Sequence, residues 1–121
     1  MKLSRTFQIA SGVLFAMSVA IPGTASAQAV DEEAAKALFK RNDCAKCHHP
    51  TREKKGSALS EIASKYKGKA DAMDKLYKQI TTGPKVKMLD DKKEEDHKIV
   101  DTKDEKQVKN LISWILSGSA K

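Results

Sequence analysis

Beyond residue 28, apolar positions recur at helical spacing in four stretches. In the first, Ala35, Leu38 and Phe39 make one stripe. Asp31 stands before it as a cap, and Glu32 and Glu33 fall in the first turn, where negative charge suits a helix start. The second covers residues 57–66, with Leu59, Ile62, Ala63 and Tyr66 on one face and Gly68 as a stop. The third covers 70–82, with Met73, Leu76, Tyr77 and Ile80 as its stripe, and Gly83 and Pro84 end it. Thr102 and Glu105 form a T-x-x-E capping box for the fourth. Val108, Leu111, Ile112 and Ile115 follow, with Trp114 alongside and Gly118 as terminator. The pattern predicts an all-α fold with no internal repeat. Residues 84–101 are a highly charged connection, and a structureless loop of that length is unusual in a small domain.

The first 27 residues read differently. Lys2 and Arg5 make a positive start, 9–20 are uncharged and largely apolar, and Pro22 and Gly23 break the run before Ala25-Ser26-Ala27. This is a secretory leader with an A-x-A cleavage site, too short and too abruptly ended for a membrane span. The expected mature chain, 28–121, has 94 residues and forms one domain. Removing Lys2 and Arg5 takes the net charge from +7 to +5. Charges of both signs alternate and aromatics are few. That speaks against a nucleic-acid platform and suits docking to acidic protein surfaces. A core of this size is marginal alone, so a buried apolar cofactor is expected to complete it.

The chemistry concentrates in Cys44-Ala45-Lys46-Cys47-His48. C-x-x-C-H is the attachment sequence of a c-type haem. Cysteines three apart on a helical turn present both sulfurs to one face for thioether bonds, and His48 follows on that face to bind the iron. Zinc is the competing reading of Cys44, Cys47, His48 and His49. These four are packed too tightly, and the chain holds no second cysteine pair to complete a structural site. No strand pattern nearby supports a thioredoxin-like dithiol.

A helix entering C-x-x-C-H, short middle helices, a loop and a last helix reading Leu111-Ile112-Ser113-Trp114-Ile115-Leu116 resemble a class I c-type cytochrome over essentially all of the mature chain. The resemblance implies one covalently bound haem c and terminal helices that cross, here through Ala35 and Phe39 against Leu111, Trp114 and Ile115. It implies a backbone carbonyl after the motif that accepts the proximal His N–H. The family's usual Gly-Pro is Gly56-Ser57 here, and a serine carbonyl can serve. It also implies a sixth ligand, usually Met, from the loop before the last helix. Met88 matches in kind but stands 26 positions before Trp114, whereas His97 stands at 17, close to the family's spacing. Spacing favours His97 as sixth ligand, with Met88 as the alternative. Met73 fits a core stripe, and His49 before Pro50 a surface position.

The expected function is a periplasmic, monomeric electron carrier that cycles one haem between ferric and ferrous states without stable membrane insertion. No nucleophile–base pattern suggests an enzyme. A haem-based sensor or redox enzyme with an open or labile sixth position is the alternative. Lys46, Lys54, Lys55, Lys85 and Lys87 flank the motif and loop as a docking ring for redox protein partners.

Overall fold

The computed structural model describes residues 29–120; the expected leader, 1–27, lies outside them. Four helices form: α1 (Glu32–Arg41), α2 (Leu59–Tyr66), α3 (Ala72–Thr82) and α4 (Glu105–Leu116). Asp31 caps α1 as expected, its carboxylate accepting the Ala34 amide at 3.0 Å. α2 and α3 each begin two residues later than the periodicity suggested. At the start of α2, Glu61 turns back to accept the Ala58 amide at 3.3 Å. Gly83 ends α3 in the left-handed conformation, φ 61°.

Two expectations need correction. Thr102 is not the cap of α4. Asp104 takes that role, accepting the amides of Lys106 and Gln107, while Thr102 Oγ1 accepts the Asp104 amide. A carboxylate next to the helix start is the stronger acceptor for amides at the positive end of the helix dipole. Nor is the 84–101 connection structureless. β1 (Lys85–Lys87) pairs antiparallel with β2 (Glu94–Asp96), setting Lys85 opposite Asp96 and Lys87 opposite Glu94. Lys85 Nζ lies 3.2 Å from Asp96 Oδ1. Opposite charges across the strands set the register of a ribbon that buries little.

α4 is the central packing element, in contact with α1, α2 and α3. Val108, Leu111, Ile112 and Trp114 from its inner face meet Ala35 and Leu38 of α1 and Leu59 of α2. The rings of Phe39 and Trp114 meet edge to face, 5.7 Å between centroids. Asn110 joins the same two helices polarly: its amide donates to the Asp31 carbonyl at 2.7 Å and accepts the Asp31 N–H at 2.8 Å. The terminal helices thus pack together as the resemblance implied. Beneath them, α2, α3 and the ribbon enclose the functional cavity.

Candidate haem site

α1 does not run on into C-x-x-C-H. It closes at Asn42, and Asp43 turns the chain with φ 56°. A 3-10 turn, Cys44–Lys46, follows. The amides of Cys47 and His48 both donate to the Cys44 carbonyl, at 3.2 and 2.9 Å. One tight turn therefore delivers both thiols and the imidazole to the same place. Both cysteines are half-buried and unbridged. Burial pushes the Cys44 thiol above its ordinary value, so it rests as the neutral thiol.

The chain after the motif folds back on it. The Gly56 amide donates to the Cys47 carbonyl at 2.9 Å, and Leu59 and Ser60 donate to the carbonyls of His49 and Pro50. His48 Nδ1 lies 2.7 Å from the Ser57 carbonyl oxygen. A carbonyl only accepts, so Nδ1 carries the proton and Nε2 keeps a free lone pair for a metal. The serine carbonyl thus fills the role suggested from sequence. The turn also needs a glycine: a Cβ on residue 56 would sit 2.6 Å from His48 Cε1. Gly56→Ala is expected to displace the His48 ring and cost about 1–3 kcal/mol. Thermal unfolding and the haem absorption spectrum test this; an unchanged Tm and spectrum would show that the turn yields.

His97 follows β2 directly. Its amide donates to the Pro84 carbonyl at 2.9 Å, and its Nδ1 donates to the Lys98 carbonyl at 2.9 Å. Nε2 is again the free nitrogen. Burial lowers the His97 pKa; the Lys98 carbonyl opposes this and His48 adds to it, so the neutral ring prevails at pH 7. Gly83 permits the close approach of α3, since a Cβ there would stand 2.6 Å from the His97 carbonyl oxygen.

His48 and His97 line one cavity of about 710 Å³, walled also by Phe39, Leu59, Ile62, Leu76, Ile80 and Leu111. Their ring centroids are 6.1 Å apart and their planes differ by 42°. Two imidazole nitrogens on opposite sides of one metal, each about 2.0–2.1 Å away, place the ring centroids about 6 Å apart. The angle is no obstacle, because binding one metal through one nitrogen each would leave the angle between the two ring planes unconstrained. Two thiols on one turn, two imidazoles at this separation and a mainly apolar cavity fit a haem. Both cysteines line that cavity too.

Met88 lines the same cavity and is only 6% exposed, so both sequence candidates for the sixth position come to one site. Met73 packs against the core, as its stripe suggested. His49 is half-buried outside the cavity wall and accepts the Thr51 amide at 3.1 Å. Among the described residues, no group of three or more His, Cys, Asp or Glu is placed to share a metal ion. Of the expected docking lysines, Lys46, Lys55 and Lys87 stand at the cavity, Lys46 paired with Asp43 at 3.1 Å, whereas Lys54 bonds the Ala45 carbonyl and Lys85 pairs with Asp96. Lys65 and Lys98 also stand at the cavity and were not legible as part of the ring, since Lys65 sits on α2, far from motif and ribbon in sequence.

A family model described as Cytochrome c matches residues 32–119. The chain belongs to the cytochrome c family. Among solved structures, the Class 1 cytochrome MtoD from Sideroxydans lithotrophicus ES-1 is 46% identical, with a TM-score of 0.70 over 74% of this chain and 98% of that one. Wild-type Nitrosomonas europaea cytochrome c552 is 28% identical, with a TM-score of 0.54 over 69% of this chain and 98% of that one. No curated protein matches the sequence. Fold and likeness make the chain a class I c-type cytochrome. Family membership implies covalently bound haem c and electron transfer as its role.

Proposed function

We propose that this cytochrome is a periplasmic, mono-haem electron carrier, not an enzyme, with His48 and His97 as its two axial ligands. The observation that carries the reading is the pair of imidazoles 6.1 Å apart, each with Nδ1 committed to a backbone carbonyl. Cys44 and Cys47 hold the macrocycle by thioethers. The Ser57 and Lys98 carbonyls fix which nitrogen of each imidazole is free and so hold both rings ready. The bound haem supplies a ferric–ferrous couple. The apolar wall excludes water from it, and the cavity mouth leaves a route for electrons to a docked partner. Met88 is the alternative sixth ligand. His97 is preferred because its spacing from Trp114, its tautomer and its distance from His48 agree.

Export rests on the leader at 1–27. Among the described residues no helix is long and apolar enough to cross a membrane. Mass spectrometry of the exported protein is expected to give the chain from Gln28 plus one haem that survives acid–acetone extraction. Extractable haem or an unmodified mass refutes the attachment.

Lys55, Lys65 and Lys87 around the cavity, with Lys46 and Lys98 sharing the one carboxylate of Asp43, suit an acidic redox partner. Electron exchange with an anionic oxidant such as ferricyanide is expected to slow as salt rises, and with a cationic cobalt complex to quicken. Stopped-flow rates at low and high ionic strength measure both. Equal salt dependence for the two reagents speaks against a positive docking face.

A further inference from the structure

Asn42 is the one buried polar side chain in the core of the described residues, 2% exposed, and all its bonding capacity points to two places. Its Nδ2 donates to the Leu38 carbonyl at 2.9 Å and to Asp101 Oδ1 at 3.0 Å, while its Oδ1 accepts the Asp101 amide at 2.8 Å. Arg41 grips the same carboxylate through Nε, 3.0 Å from Oδ2, and Nη2, 3.1 Å from Oδ1. The bond to Leu38 adds to the backbone bonds from the Asn42 and Asp43 amides that close α1. The bonds to Asp101 join chain segments 59 positions apart and are not needed to end a helix.

Their placement gives them a use. Asn42 lies two residues before Cys44 and lines the cavity. Asp101 lies four residues after His97. The His97 segment is held at the Pro84 carbonyl by the His97 amide and at the Ile80 carbonyl by the Val100 amide. Both of those ties lead to the α3 side. Two ties run to the haem-attachment side: the Asp101 pair, which engages a buried amide, and an exposed ion pair of Lys98 with Asp43 at 3.6 Å, which contributes little by itself.

We infer that Asn42 and Asp101, braced by Arg41, form a positioning clamp that fixes the His97 segment relative to the Cys44–His48 turn and so sets how firmly the sixth position is held. This rests on the reading of His97 as sixth ligand. The two contributions are unequal. The Arg41 and Asp101 side chains are about half exposed, and an ion pair at that exposure contributes little by itself. The buried amide matters more, because losing Asp101 leaves an Asn42 donor unpaired away from water.

The test uses holoprotein and the rate of carbon monoxide binding to the ferrous form. Asn42→Ala and Asp101→Ala are expected to speed binding by about tenfold or more, as hydrogen bonds to a charged group are lost. Their midpoint potentials are expected to rise, since a looser imidazole favours reduced iron. Asp101→Asn, which keeps an acceptor for the Asn42 amide, is expected to restore most of the parent rate, and Arg41→Gln to change it by less than about threefold. Val108→Ala is the control for lost stability, being a core residue outside the cavity wall. If Val108→Ala speeds binding as much at an equal loss of Tm, the effect is global and the clamp is overturned. It is also overturned if His97→Ala opens the iron while the clamp variants bind at the parent rate. A His97→Ala spectrum identical to the parent removes the ligand assignment itself, and the clamp's role with it.

Discussion

Replacing His97 by alanine is expected to convert a six-coordinate carrier into a protein with an open iron position. With both axial donors nitrogens, as proposed, the ferric parent should lack the weak far-red charge-transfer band of sulfur ligation. His97→Ala should then bind carbon monoxide rapidly in the ferrous form and show an altered potential, while Met88→Ala leaves the spectrum nearly unchanged. The geometry behind this is the 6.1 Å centroid separation of His48 and His97. A far-red band abolished by Met88→Ala would assign the ligand to Met88, which lies buried in the same cavity. Acid adds an independent check. Burial lowers the His97 pKa, and bound iron competes further with the proton. The neutral, ligating ring therefore persists through the ordinary histidine range and is displaced only as pH falls well below it. A thioether has no proton to gain there, so insensitivity of the spectrum to acid until unfolding points to Met88.

The parts of this site that depend on local residue type were legible in the sequence. Cys44, Cys47 and His48 announce themselves by spacing, and the apolar stripes of α1 and α4, together with the crossing of terminal helices that the resemblance implied, set Phe39 against Trp114, as found. The serine carbonyl beneath His48 followed from the resemblance, with Gly56-Ser57 standing where the family usually has Gly-Pro. What stayed hidden depended on pairing between distant segments. Lys85–Lys87 and Glu94–Asp96 carry almost no apolar alternation, so the strand signal is absent; only the match of a basic run to an acidic one hints at the ribbon. The bonds from Asn42 to Asp101 leave no periodic trace. At α4 two capping patterns overlap. The T-x-x-E of Thr102 and Glu105 is the pattern read from sequence; Asp104 with Gln107 is the one realised, with Gln107 Nε2 donating to Asp104 Oδ2 at 3.2 Å. A propensity rule could not separate two acceptors two residues apart.

Trp114→Ala should be among the most destabilising single changes in this protein. The ring is 4% exposed, stands in the core between α1 and α4, and meets Phe39 edge to face at 5.7 Å. Phe39 in turn lines the haem cavity, so the pair supports the ring side of the core as well as the helix contact. Removing a buried indole costs about 3–5 kcal/mol through lost burial and the cavity left behind. Phe39 can collapse only partly into that space, because the Asn110 bonds to Asp31 fix the spacing of the helices at their polar edge. Among the described residues the indole N–H has no acceptor. Trp114→Phe therefore forfeits no protein hydrogen bond, keeps most of the aromatic contact and should cost only about 1–2 kcal/mol. Denaturant unfolding of the holoprotein gives both values. A loss within about 0.5 kcal/mol for Trp114→Ala would place the ring at the surface and break the argument for α4 as the central packing element. Equal losses for alanine and phenylalanine would shift the weight from packing to the indole N–H.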